Sequence, residues 1–167
     1  CIRDRDIALV QYLETSVINS PYFNLYLASQ IHDADDALFT CGYKVNDLIT
    51  VIGDVHHIFP KKYLIKNGVN EKSKYNQIAN YTYLDTQVNK AVRDDSPNIY
   101  FSKVFEQCET GIAVYGNITD KALLLKNLQQ NCIPETILQM EHTNYEEFLA
   151  ERRKLMAKKI KKYYYSL

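Results

Sequence analysis

Asp54-Val55-His56-His57-Ile58-Phe59-Pro60, then Ile78-Ala79-Asn80-Tyr81-Thr82-Tyr83-Leu84, then Asn89, are the residues whose reading decides the fold. The first piece follows a β-branched run over residues 48–52 (Leu48, Ile49, Thr50, Val51, Ile52) that Gly53 stops, so the pattern predicts a strand running into a polar turn. Asn80 through Leu84, rich in aromatic and β-branched types, predicts a second strand. Between them lie a lysine-rich stretch over 61–67, ended by Gly68, and a short exposed helix over 70–78. Asp85 then caps a helix through Thr86, Val88, Asn89, Val92 and Arg93, which Pro97 ends nearby. Strand, loop, strand and helix fold back on one another, which brings the end of the first strand beside the helix that carries Asn89.

That juxtaposition has chemical content. Neighbouring side chains leave a strand end in different directions, so two adjacent histidines can divide two tasks. One can bind a divalent cation together with Asn89 while the other takes a proton from a water aimed at a phosphodiester. Each residue also has an ordinary reading: a core or surface histidine, a turn-forming asparagine at Asn80, a surface helix residue at Asn89. Basic residues surround the stretch, with Lys61, Lys62, Lys66, Lys72, Lys74, Lys90 and Arg93 set against Asp54, Glu71, Asp85, Asp94 and Asp95. Arg93 stands one helical turn after Asn89 and so on its face.

Outward from this core the chain reads as helix. Ile7, Val10, Leu13 and Val17 recur at helical spacing over residues 4–19, and Ser20-Pro21 restarts a second stripe of Phe23, Leu27 and Ile31, so the front is expected to be a helical hairpin. Asp33, Asp35 and Asp36 after it read as a solvated loop face. Helices are expected over 99–108, over 122–130 capped by Thr119-Asp120, and briefly from Pro134 to 140. Thr143 or Asn144 caps a long final helix with Glu146 and Glu147 in its first turn and basic residues at its end, as the helix dipole favours. The basic run Arg152, Arg153, Lys154, Lys158, Lys159, Lys161, Lys162 is read equally as a DNA grip or as a solvated face.

Composition sets the bounds. The 167 residues, 46% hydrophobic and 24% charged, are those of an ordinary folded domain with room for a core. Twenty basic residues balance twenty acidic ones, which excludes a uniformly basic, polyanion-coating protein but leaves a local basic face. No apolar run approaches the roughly 20 residues needed to cross a bilayer, so no membrane partner is expected. Cys1, Cys41, Cys108 and Cys132 are scattered with no C-x-x-C pair, which suits reduced packing residues in the cytoplasm. Cys1 in place of Met, with no signal-peptide core after it, suggests a piece of a longer polypeptide.

The motif His56-His57-Ile58-Phe59-Pro60, Asn80 within Ile78 to Leu84, and Asn89 resembles the HNH (ββα-metal) nucleases, and more narrowly the C-terminal HNH domain of GmrSD-type restriction endonucleases and related phage-defence proteins. The likeness is tightest over residues 54–100; Ser20 to Ile31 and residues 145–166 also resemble flanking segments of that domain. It implies an α+β, mainly α fold in which a helical domain encloses a ββα-metal motif: a helical flank over 1–45, the motif over 46–100 and a helical C-terminal part over 101–167, in one domain. It implies that His57 is the general base, that Asn80 holds the loop between the strands, and that His56 and Asn89 bind the metal. His56 departs from the aspartate many HNH enzymes carry there, although a His-His version occurs among colicin-type nucleases. The implied cofactor is a divalent ion, Mg²⁺ by family habit, with Mn²⁺, Ni²⁺ or Zn²⁺ suited to an imidazole ligand. The implied partners are DNA, contacted through Arg93, Lys90, Lys61 and Lys62, and an N-terminal ParB-like nucleotide-binding domain of the same polypeptide or complex. Two rival functions stay open at this point: a non-catalytic DNA-binding or interaction module that keeps the fold, and an RNA-directed HNH nuclease.

Overall fold

A computed structural model describes residues 8–51 and 55–167. Its elements, in chain order, are α1 (Pro21–His32), α2 (Val45–Thr50), β1 (Val55–His57), α3 (Lys61–Lys66), α4 (Lys72–Tyr75), β2 (Tyr81–Tyr83), α5 (Thr86–Val92), α6 (Pro97–Thr110), α7 (Lys121–Gln130) and α8 (Tyr145–Tyr164). Three 3₁₀ turns, Ile78–Asn80, Glu135–Gln139 and His142–Asn144, join them. The fold is α+β and mainly helical, as the sequence predicts. β1 and β2 form an antiparallel pair with Val55 opposite Tyr83, His56 opposite Thr82 and His57 opposite Tyr81.

Local chemistry explains most boundaries. Ser20 Oγ accepts from the Tyr22 N–H at 3.3 Å and Pro21 opens α1. Asp85 accepts from the Gln87 N–H at 2.8 Å and starts α5 two residues after β2. Asp120 does the same for α7, accepting from the Leu123 N–H at 2.9 Å. Asn144 occupies the N-cap position of α8, but its side chain bonds the Glu141 N–H and the Glu147 carboxylate instead of capping the helix.

Two elements differ from the sequence reading. The β-branched run expected as a strand lies largely in helix α2, with Ile52 outside the described residues. Asp47 decides this: its carboxylate accepts from the Lys44 N–H at 3.0 Å at the start of α2, and Val45 and Leu48, three apart, are both buried. Among the described residues the strand runs from Val55 to His57. The first helix of the expected hairpin is present over 8–12 and stops there, its start lying outside the described residues. Thr15 Oγ1 takes the Val17 N–H, and the Thr15 carbonyl accepts from the Ile78 N–H at 2.9 Å, which draws the chain into a turn against the motif.

α8 packs along α1 and against the 3₁₀ turn before β2, so its inner face meets the core built on Phe59, Tyr100, Phe101 and Phe148. The basic tail is not one surface. Arg152 is fully buried, donating from Nη1 to the Ala79 and Tyr81 carbonyls at 2.7 and 2.6 Å and from Nη2 to the Asn131 carbonyl at 3.2 Å. Arg153 donates to the Gln77 side chain at 2.9 Å. These two arginines tie α8 to the start of β2, to the turn before it and to Asn131, and, being buried, have no access to a nucleic acid. Nor is the acidic cluster a solvated face: Asp35, 3% exposed, pairs with Lys159 at 2.6 Å, Asp33 with Lys159 at 3.2 Å, and Asp36 with Lys44 at 2.8 Å.

Arg152→Ala is expected to cost about 3–5 kcal/mol of stability in urea unfolding, since it strips three buried carbonyls of their donor and leaves a cavity. A change below about 1 kcal/mol would rule out Arg152 as the tie that anchors the motif.

Candidate active site

The motif is assembled by three short-range devices. The strand pair sets His56 and His57 at the end of β1, where alternation sends their side chains to opposite faces. The Asp85 cap starts α5 directly after β2, and one helical turn later Asn89 faces β1. His56 Nδ1 lies 2.7 Å from Asn89 Oδ1, across 33 positions of sequence. Asn80, wholly buried, closes the turn after the histidines: its Oδ1 accepts from the Phe59 N–H at 2.8 Å, and its Nδ2 donates to the Phe59 and Tyr75 carbonyls at 3.1 and 3.2 Å. The Asn80 carbonyl accepts from the Ile58 N–H at 2.8 Å, and the Tyr100 hydroxyl donates to the Ile58 carbonyl at 2.5 Å. Both backbone groups of the residue next to His57 are thereby fixed.

The two imidazoles differ in environment. His56 is 3% exposed, and burial, reinforced by the neighbouring His57, pushes its pKa down to about 4 against the opposing pull of Asn89. Its Nε2 is buried with no partner. His57 is half-buried, with its Nε2 2.9 Å from Asn76 Oδ1 and its ring edge against Tyr81 at 5.0 Å between centroids. Burial lowers its pKa, the bond to Asn76 opposes this, and the Lys61 ammonium lowers it further. At neutral pH both rings are uncharged, as a metal ligand and a general base must be.

A cleft of about 520 Å³ opens on this pair, walled by His56, His57 and Asn89 together with Lys61, Lys62 and Arg93. Lys90 is exposed but does not line it. Arg93 ends α5 with φ 54° and ψ −118°, a backbone shape that L residues rarely adopt. Asp94 also reaches the wall, where Lys66 pairs with it and holds its carboxyl below the ordinary value. Sequence spacing gave no sign of Asn76 or Asp94 as site residues: Asn76 reaches His57 from the end of α4, and Asp94 enters beside Arg93 just past the end of α5.

Among the described residues no three His, Cys, Asp or Glu side chains converge, so a cation here has to rely on few protein ligands. His56 and Asn89 could hold one. The 2.7 Å contact is a hydrogen bond in which the amide oxygen can only accept, so His56 Nδ1 carries the proton, and a cation held by both atoms would have to displace that proton to Nε2. A hard divalent ion keeps most of its shell as water and phosphate oxygen, so two protein ligands suffice. Asp54, also near in sequence, lies outside the described residues.

The chain was compared with protein-family models, curated proteins and solved structures, and nothing matches in any of the three.

Burial of neutral His56 links stability to pH. Its folded pKa of about 4 lies below the ordinary 6.5, so the unfolded chain binds the extra proton between these values and stability falls as pH drops through that window. The expected loss, from full stability above pH 6.5, is at most roughly 3 kcal/mol. Urea unfolding in EDTA at several pH values should show this slope, and His56→Gln should flatten it; an unchanged slope would place the proton uptake elsewhere.

Proposed function

We propose that the chain is a divalent-metal-dependent HNH-type endonuclease that hydrolyses DNA phosphodiester bonds, acting in the cytoplasm as the catalytic part of a restriction or phage-defence protein. The observation that carries this reading is the meeting of His56 and Asn89 at 2.7 Å beside His57, in a cleft with a basic wall. Together with the resemblance of the motif, it supports a hydrolytic site over a chance pair of core histidines. Among the described residues no helix is long and apolar enough to cross a membrane.

In this reading the neutral imidazole of His57 takes a proton from the water that attacks phosphorus. His56 and Asn89 would hold the ion, Mg²⁺ by resemblance. A divalent ion bound there supplies Lewis-acid stabilisation of the charge that grows on the scissile phosphate and on the leaving 3′ oxygen. Lys61, Lys62 and Arg93 hold the phosphates that flank the reacting one, and Lys90, outside the cleft, contacts the backbone further along. Asn80 acts through the loop, keeping His57 in place. A ParB-like domain of the same polypeptide or complex would supply nucleotide-dependent control.

The test is cleavage of end-labelled duplex DNA, single-stranded DNA and RNA of one sequence, with Mg²⁺ or Mn²⁺ and with EDTA. Metal-dependent cuts in DNA that leave 5′-phosphate and 3′-hydroxyl ends are expected. Preferential cutting of RNA would transfer the site to an RNA-directed nuclease, and metal-indifferent DNA binding without cutting would make the chain a binding module.

A further inference from the structure

His57 has two ring nitrogens, and only one can serve as a base. Its Nε2 faces the Asn76 side-chain oxygen at 2.9 Å. Its Nδ1 has no partner among the described residues and is not one of their buried unpartnered atoms. A carboxamide oxygen can only accept a hydrogen bond, so it selects the neutral ring that carries its proton on Nε2 and leaves a bare lone pair on Nδ1.

Asn76 is itself held by its neighbours. It follows α4 as that helix's C-cap, with its N–H bonded to the Lys72 carbonyl at 3.0 Å. On one side, the Tyr75 carbonyl accepts from Asn80 Nδ2 at 3.2 Å and from the Tyr145 hydroxyl at 3.4 Å. On the other, the Gln77 side chain bonds Arg153 at 2.9 Å and the Ser73 carbonyl at 2.6 Å. The amide that meets His57 thus stands on backbone tied to the 3₁₀ turn at Asn80 and to α8, and a ring so held loses little freedom when water or substrate arrives.

We infer that Asn76 is the positioning residue of the site: its side-chain oxygen holds the His57 Nε2 proton, so that Nδ1 is the atom that takes the proton from water. The inference rests on the reading of His57 as the base, and goes beyond it by naming the atom and the residue that fixes it.

The experiment records ¹⁵N and ¹H NMR spectra of the His57 ring in the whole chain, for the wild type, Asn76→Ala and Asn76→Asp, beside cleavage kinetics with Mg²⁺. The Asn76 side chain has His57 as its one hydrogen-bond partner among the described residues, so the truncated protein should fold, which urea unfolding checks. In the wild type the ring proton is expected on Nε2 and protected from exchange with water. Asn76→Ala should lose that protection and lower kcat by roughly 10- to 100-fold, with KM within about twofold. Asn76→Asp, which keeps an acceptor oxygen, should retain the protected proton and recover much of the lost kcat. A ring proton on Nδ1, an equally protected Nε2 proton in Asn76→Ala, or a change confined to KM would overturn the inference. If the wild type cuts no substrate, the nuclease reading fails by itself, while the ring spectra still decide whether Asn76 holds His57.

Discussion

His57→Ala is expected to lower DNA cleavage by roughly 10²- to 10⁴-fold, the range that a positioned general base contributes. The substitution should leave the fold intact. His57 is half-buried, its polar contact is with the Asn76 side chain, and its ring only edges against Tyr81. His56 and Asn89 remain in place, so metal affinity should change little while the chemical step fails. The readout is therefore a split: kcat falls, and calorimetric Mn²⁺ binding and the urea midpoint stay close to those of the wild type. Near-normal turnover would remove His57 from the reaction, and a collapsed midpoint would make it a structural residue.

Asn80→Ala is expected to damage both stability and catalysis. One amide serves the Phe59 N–H, the Phe59 carbonyl and the Tyr75 carbonyl, all within a site with no solvent access. Alanine leaves the Phe59 groups buried without their partner, while the Tyr75 carbonyl keeps the Tyr145 hydroxyl. A cost of about 2–4 kcal/mol follows from stranding two buried backbone groups. The turn that begins one residue after His57 is then unpinned, so cleavage should fall at least tenfold even at a temperature where the variant is fully folded. Asn80→Asp separates the two effects: the acceptor for the Phe59 N–H is kept, but an oxygen now faces two carbonyls, so instability should persist. A variant as stable and active as the wild type would end the role of Asn80 as the pin of this loop.

The residues that build the motif were legible because their signals are local. β2 shows as an aromatic and β-branched cluster, Asp85 is a short-range cap, and α8 has a long apolar stripe with its charges arranged along the dipole. That one of the two histidines would meet Asn89 could be anticipated from the element order, since strand, loop, strand and helix have few ways to fold back; that it is His56 was implied only by the resemblance of the motif. What escaped reading depends on tertiary partners. The β-branched run was helical because Asp47 caps α2 and because Val45 and Leu48 share a buried face. Arg152 looked like one of seven surface cations, yet it is an interior tie whose acceptors lie about 70 positions earlier for β2 and about 20 earlier for Asn131. Asp35 looked solvated until Lys159, distant in sequence, came to meet it. Asn76 carries no pattern at all. It becomes visible only when the end of α4 meets His57.

The central claim, a metal-dependent phosphodiesterase with His57 as its base, is tested most directly by relaxation of supercoiled plasmid by the purified chain in Mg²⁺, Mn²⁺, Ni²⁺, Zn²⁺ or EDTA, beside His57→Ala. Nicked or linear plasmid is expected with at least one of the divalent ions, none in EDTA, and a trace at most with His57→Ala. Relaxation that survives EDTA, near-normal relaxation after the loss of His57, or plasmid left intact under every ion, would contradict the claim.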